Sequence, residues 1–215
     1  MRPLMADSGH LFVAPTYTGL GERSHLATPS IDLETHVTDL LEVLHYEGLR
    51  DVVLLAHSYG GMVATGVVDR AAERIAQLIY LDAFVPRDGQ SLADLVPAAQ
   101  RERMRTSAAQ GDGWRVSPNP TPVDTASEDM AWIAERRLPH PLKCFEQPLR
   151  LQHGEPTLPR SYIRAVHHAN DAFDGFAERA RSEPGWRYLE IEATHSPNVT
   201  APRELMLLLD RIVGG

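Results

Sequence analysis

The stretch "DVVLLAH" (residues 51–57), with what stands on either side of it, restricts the fold more than any other part of the chain. It is apolar and rich in β-branched residues almost throughout, as expected of a strand covered on both faces, where a strand with one wet face would alternate. Upstream, Leu33, Val37, Leu40, Leu41 and Leu44 recur at helical spacing, with Asp32 at the entry and Gly48 at the exit. Downstream, "GGMVATGVVDRAAERI" reads as a helix and "AQLIYLDAFVP" (76–86) as another buried strand. With "HLFVAPTYTG" (10–19) taken as a short apolar strand closed by turn residues, the first half alternates strand, helix, strand, helix, strand. That order specifies an α/β fold built on a mostly parallel sheet.

The second half is organised differently. From Arg87 to Pro159, helical polar stretches alternate with proline-rich joints such as "VSPNPTPVD". The strand pattern resumes in "RSYIRAV" (160–166) and "WRYLEIEA" (186–193), with "DGFAERARSE" helical between them and "PRELMLLLDRIV" as a closing helix. The reading is therefore one core, residues 1–86 and 160–215, interrupted by a helical cap insertion at 87–159. A chain of 215 residues is long enough for one such core.

Charge and composition narrow the partners. A net charge of -8 and the lack of any basic run argue against nucleic acid and anionic membrane, since "RERMR" (101–105) has the look of a solvated helix face. No apolar stretch reaches the ~18 residues that cross a bilayer. The start, "MRPLMADSGH", lacks an apolar core of signal-peptide length. The lone cysteine, Cys144, allows no internal disulfide and reads as a buried structural thiol. The chain is expected to be cytoplasmic.

Chemistry enters at "LLAHSYGGMV" (54–63). A strand followed by small-x-Ser-x-Gly-Gly and a helix is a nucleophile-elbow pattern, in which a sharp turn lifts Ser58 clear of the sheet and requires small residues two positions away. Gly60 meets that requirement, and Ala56 stands where glycine is commoner. The turn also sets the amide of Tyr59 at a helix N-terminus, where it can donate to a developing oxyanion. A serine hydroxyl needs a base to become a nucleophile. Of the ten histidines, His195 in "ATHSPNVTAP" follows the last strand, on the sheet edge where the elbow opens. His57 neighbours the elbow itself; His36 and His45 lie on a helix, His140 and His153 in the insertion, and His167 and His168 nearer the active edge. The base needs a carboxylate to fix its tautomer. Asp171 in "HHANDAFDGF" is preferred; Asp174 is placed as a helix cap, and Asp82 at the end of "LIYLDAF" is the main alternative. No metal site is expected, because His-Glu-x-x-His, a cysteine pair and a dense carboxylate cluster are all absent from the sequence. No cofactor is expected either.

These motifs, "PTYTGLGERSHL", "DVVLLAHSYGG", "YLDAFVP" and "ATHSPNVTAP", resemble the α/β-hydrolase superfamily. The branch they are most similar to holds small bacterial carboxylesterases, plant methyl esterases and hydroxynitrile lyases. The resemblance implies an eight-stranded, mostly parallel sheet with a helical cap over Ser58. It also implies three strands before His10, the third ending in a His-Gly dipeptide whose loop supplies a second oxyanion donor. The only His-Gly here is His153-Gly154, in the insertion, and "MRPLMADSGH" corresponds to the tail of the helix after that third strand. The reading is thus of an N-terminally shortened member. Three outcomes stay open: a coding start upstream, a homodimer that completes the sheet at an exposed edge, or a weakened relative. A chain starting at Met1 is expected to dimerise through that edge.

The expected activity is hydrolysis of small carboxylic esters through an acyl-enzyme, with Ser58 as nucleophile, His195 as base, Asp171 as acid and Tyr59 at the oxyanion. Trp114, Trp132 and Phe145 are expected to form the substrate pocket, and His25 to touch a polar substrate group. The alternatives are a lactone- or polyketide-processing hydrolase, a hydroxynitrile lyase, and a binding member without catalysis. The lyase would want a lysine near the histidine loop, and the only lysine is Lys143 in the insertion.

Overall fold

The computed structural model describes residues 1–214, the side chain of Asp171 excepted. Its main sheet has four parallel strands in the order β1 (Val52–Ser58), β2 (Ile75–Ala83), β5 (Arg160–Ala165), β6 (Trp186–Ile191). A second, antiparallel pair joins β3 (Arg115–Val116) to β4 (His140–Pro141). The helices are α1 (Arg2–Asp7), α2 (Leu33–Tyr46), α3 (Gly60–Ala71), α4 (Ala98–Gln110), α5 (Ser127–Ala134), α6 (Lys143–Glu146), α7 (Asp171–Ser182), α8 (Pro197–Thr200) and α9 (Pro202–Val213).

Alternation along β2 shows why its sequence is a continuous apolar run. Leu78 and Tyr80 face a core shared with α2, α3 and α7, while Ile79 and Leu81 face a second core shared with α9. Successive side chains of a strand point to opposite faces, so a strand sandwiched between helices must be apolar at every position. α2 starts as its sequence suggests: the Asp32 carboxylate accepts from the Thr35 amide and the Thr35 hydroxyl accepts from the Asp32 amide, a reciprocal cap. Gly48 closes it at φ 63. α3 lies so close to the end of β2 that a Cβ on Gly61 would sit 2.0 Å from the Phe84 carbonyl oxygen.

The structure departs from the sequence reading at two places in the fold. Residues 10–16 form no strand, and Leu11 and Val13 are 83% and 42% exposed. A strand is held by pairing, and nothing pairs with this segment, so its apolar residues stay outside the sheet. β1 accordingly has β2 on one side and no strand on the other among the described residues. The second departure follows: where the resemblance implies eight strands, the described residues hold four in the main sheet. Between β2 and β5 the chain passes through α4, β3, α5, β4 and α6. None of the helices is long and apolar enough to cross a membrane.

Candidate active site

Ser58 ends β1 at φ 55, a left-handed conformation that side chains with a Cβ rarely adopt. Only two other described non-glycine residues have positive φ, Asp51 and Asp82, the latter at φ 41 near the end of β2. The two are linked by the pairing of the strands. His57 is opposite Leu81 but Ser58 is opposite Ala83, so the register slips by one residue and Asp82 is left over as a bulge. Strain of this kind costs of order 1–3 kcal/mol per residue and gathers at functional sites. Here it turns two polar side chains toward one point at the carboxyl edge of the sheet.

His195 joins them. It lies in the loop from β6 to α8, with Nε2 2.8 Å from Ser58 Oγ and Nδ1 2.7 Å from Asp82 Oδ2. With Nδ1–H donating to the carboxylate, Nε2 is left to accept from the serine hydroxyl. Two further contacts hold the loop in place. His57 Nε2–H donates to the His195 carbonyl at 2.5 Å, and the Asp124 carboxylate accepts from the Thr194 amide and hydroxyl. Burial, with the neighbouring His195 adding to it, lowers the His57 pKa to about 4, so this ring is a neutral donor. Phe173 stacks on the His195 ring at 5.3 Å between centroids.

Asp82 is fully buried. Burial alone would raise its pKa, but hydrogen bonds from His168 and His195, and the charges of His195 and Arg164, outweigh that and hold it well below the usual carboxylate range. The partners divide its two oxygens. Oδ2 takes His195 Nδ1 and His168 Nδ1, the latter at 2.6 Å, while Oδ1 takes Arg164 Nη1 at 2.6 Å and the Ala165 amide at 3.3 Å. Arg164 also donates to Asp174 and to the His168 carbonyl. A buried charge is tolerated only when paired and hydrogen-bonded, and this one is.

This arrangement corrects the preferred acid. The group on His195 Nδ1 is Asp82, from a strand end; Asp171, the expected acid, opens α7, and its side chain lies outside the described residues. Asp174 is not the cap of that helix either. Asn170 caps it, accepting from the Ala172 amide, and Asp174 pairs with Arg164 at 2.8 Å. One signal in the sequence pointed to Asp82: it is the only charged residue in "LIYLDAF", where an unpaired carboxylate would be prohibitive. His168, placed near the active edge by its loop, does reach this carboxylate, whereas Arg164 carried no comparable signal, because its value depends on the carboxylate it pairs with.

Tyr59 directly precedes α3, so its amide stands at the helix N-terminus, and its hydroxyl is tied down by His36 Nδ1 at 3.0 Å. A cavity of about 800 Å³ opens over Ser58 and Tyr59, lined also by Phe84, His140 and Phe145. Of the four expected substrate contacts only Phe145 lies on this cavity, stacked on His140 at 4.5 Å. Trp132 is 56% exposed with the Arg136 guanidinium over its ring, and Trp114 is covered by Arg115. His25 is exposed in a 3-10 turn, its Nδ1 bonded to the Glu22 carbonyl. Each of the three finds a partner on the outer surface of its own segment.

Cys144 is buried, and burial pushes its thiol up to about 12, which suits a packing residue and not a nucleophile. Donor atoms of His36, His140 and Cys144, and separately of Asp82, His168 and His195, lie close enough to share an ion. In the second group both ring Nδ1–H bonds already point at Asp82, so a cation there would have to displace two protons.

A family model described as "Alpha/beta hydrolase family" matches residues 1–206. The chain is 38% identical over 211 residues to a carbendazim hydrolyzing esterase from Nocardioides sp. (strain SG-4G), covering 94% of this chain and 87% of that one. Among solved structures it is similar to an extracellular alpha/beta-hydrolase from a Paenibacillus species, with a TM-score of 0.84 at 21% identity over 97% of this chain and 89% of the other. A methylesterase from Arabidopsis superposes with a TM-score of 0.72 at 20% identity, over 99% and 91%.

Proposed function

Because the chain belongs to the alpha/beta hydrolase family, we propose that it cleaves small carboxylic esters through an acyl-enzyme formed on Ser58. The observation that carries this is His195, which bridges Ser58 and Asp82 through its two ring nitrogens at 2.8 and 2.7 Å. Likeness to a carbendazim hydrolyzing esterase supports ester cleavage as the reaction.

The steps follow from the protonation states. Ser58 Oγ attacks the ester carbonyl carbon as its proton passes to His195 Nε2. The resulting imidazolium is stabilised by the ionised Asp82 on Nδ1. Negative charge gathers on the carbonyl oxygen, toward which the Tyr59 amide donates at the start of α3. His195 returns the proton to the departing alkoxide, leaving the acyl group on Ser58. Water then enters, gives a proton to the same nitrogen, and releases the acid by the reverse sequence.

The test is initial-rate hydrolysis of 4-nitrophenyl acetate and butyrate by the protein and its Ser58→Ala and His195→Ala variants. Each substitution is expected to lower kcat by roughly 10⁴–10⁶, and the two together no further than either alone, because the residues act as a unit. Unchanged turnover in Ser58→Ala would remove the serine from the reaction.

A further inference from the structure

The cavity over Ser58 has an unusual charge distribution for so acidic a chain. The protein carries 29 aspartates and glutamates against 21 lysines and arginines. Yet among the described residues the charged ones lining this cavity are three arginines, Arg103, Arg136 and Arg137, with no carboxylate beside them. Arg103 comes from α4 and the other two from the segment between α5 and β4, so separate elements converge on the same space. Arg136 is engaged, pairing with Glu135 at 3.6 Å and lying over Trp132. The other two are not. Among the described residues neither Arg103 nor Arg137 pairs with any carboxylate, and Arg137 has only the Asn119 carbonyl on its Nε–H at 3.1 Å. Arg137 is half-buried, and burial lowers the pKa of its guanidinium, the mark of a cation losing water without a counter-ion.

A guanidinium presents a rigid fork of donors matched to carboxylate oxygens. Two such forks on a cavity whose described lining holds no acid make a positive lobe in a negative molecule, and a lobe of one sign draws and orients a ligand of the other. The cavity volume of about 800 Å³ leaves room for a chain reaching from the serine to that lobe.

We propose that the site takes esters that carry a second, anionic group, such as the half-ester of a dicarboxylic acid, with the ester carbonyl at Ser58 and the carboxylate at Arg103 and Arg137. This rests on the esterase reading above and names its substrate class. Arg103 and Arg137 are then the residues that set specificity, and the neutral lining around Phe84, Met104 and Phe145 takes the connecting chain.

Two matched pairs of compounds test it. Mono-4-nitrophenyl glutarate and 4-nitrophenyl pentanoate share a leaving group and a chain length and differ in the terminal carboxylate. Their non-hydrolysable counterparts are the ketones 5-oxo-5-phenylpentanoate and 1-phenylpentan-1-one, whose binding is followed by calorimetry. The anionic ester is expected to have about tenfold higher kcat/KM at low salt, of the order of one charge-assisted contact. That ratio should fall toward unity at high ionic strength and in the double variant Arg103→Gln/Arg137→Gln. Arg101→Gln, which removes the same charge from α4 outside the cavity lining, should leave the ratio in place. The proposal is overturned if the two esters are turned over equally, or if the preference survives in the double variant. If neither ester is hydrolysed, the ketones decide. Tighter, arginine-dependent binding of the keto acid upholds the anion site while the hydrolytic reading fails, and equal binding of both ketones overturns it.

Discussion

Asp82 stands near the end of an apolar run and Asp171 in the loop after another strand, both toward the active edge of the sheet in sequence terms, and it is Asp82 that is bonded to His195. Asp82→Asn keeps the shape of that side chain but places an amide against Nδ1, which favours the wrong tautomer. We expect kcat to fall by about 10³–10⁴ with KM little changed, as for loss of the orienting carboxylate in Ser-His-Asp enzymes. Asp171→Asn should leave kcat within about twofold, since Asp82 already occupies His195 Nδ1, compared with losses of about 10³ or more for loss of an orienting acid. Steady-state kinetics on one chromogenic ester separates the two. At this scale the approach of His195 to Ser58 was legible from the sequence because elbow and loop chemistry are local. The acid was not, since the choice among Asp82, Asp171 and Asp174 depends on a one-residue slip between β1 and β2 that leaves no mark on either segment alone. The aromatic pocket failed for a similar reason: Trp114 and Trp132 are apolar enough for a cavity wall, but each is covered by the arginine of its own segment.

Among the elements, β1 and β2 were readable because their sequences are apolar at nearly every position, and α2 because it carries a cap and a terminal glycine. Periodicity reports burial, however, and it cannot report whether a strand has a neighbour; residues 10–16 have the composition of a buried strand and form none. The contact between α3 and the end of β2 offers a sharper test of packing. Gly61→Ala would put a methyl 2.0 Å from the Phe84 carbonyl oxygen, a backbone atom that cannot swing aside. Moving α3 off the strand also moves the Tyr59 amide and the elbow. We expect a loss of about 3 kcal/mol or more, beyond the usual 1–3 for overpacking, read by urea denaturation. Gly175→Ala, with nothing within 4 Å of the added methyl, should cost nothing and serves as the control.

The whole molecule couples acid sensitivity to the same histidines. Burial lowers the pKa of His57 to about 4 and that of His140 to about 3, and it lowers His36 as well. Unfolded histidine titrates near 6.5. Between those values the unfolded chain binds protons that the native one refuses, so stability declines as pH falls from about 6.5 toward 4 and is complete above about 7. Asp82 acts in the same sense over a lower pH window. Its depressed pKa gives stability that is present above the unfolded value of about 3.9 and lost only as pH falls further. Replacing His140 with Phe, which can keep the stacking on Phe145, should reduce the loss between pH 7 and 4.5 by about 2 kcal/mol. Chemical denaturation at the two pH values measures it. The proposed reaction needs a hydroxyl made reactive by its neighbours, and covalent labelling with a fluorophosphonate followed by peptide mapping asks that directly. We expect one adduct per chain, carried by Ser58 and forming at least about a hundredfold more slowly in Asp82→Asn. A folded protein that takes up no label, or takes it up at another residue, would contradict it.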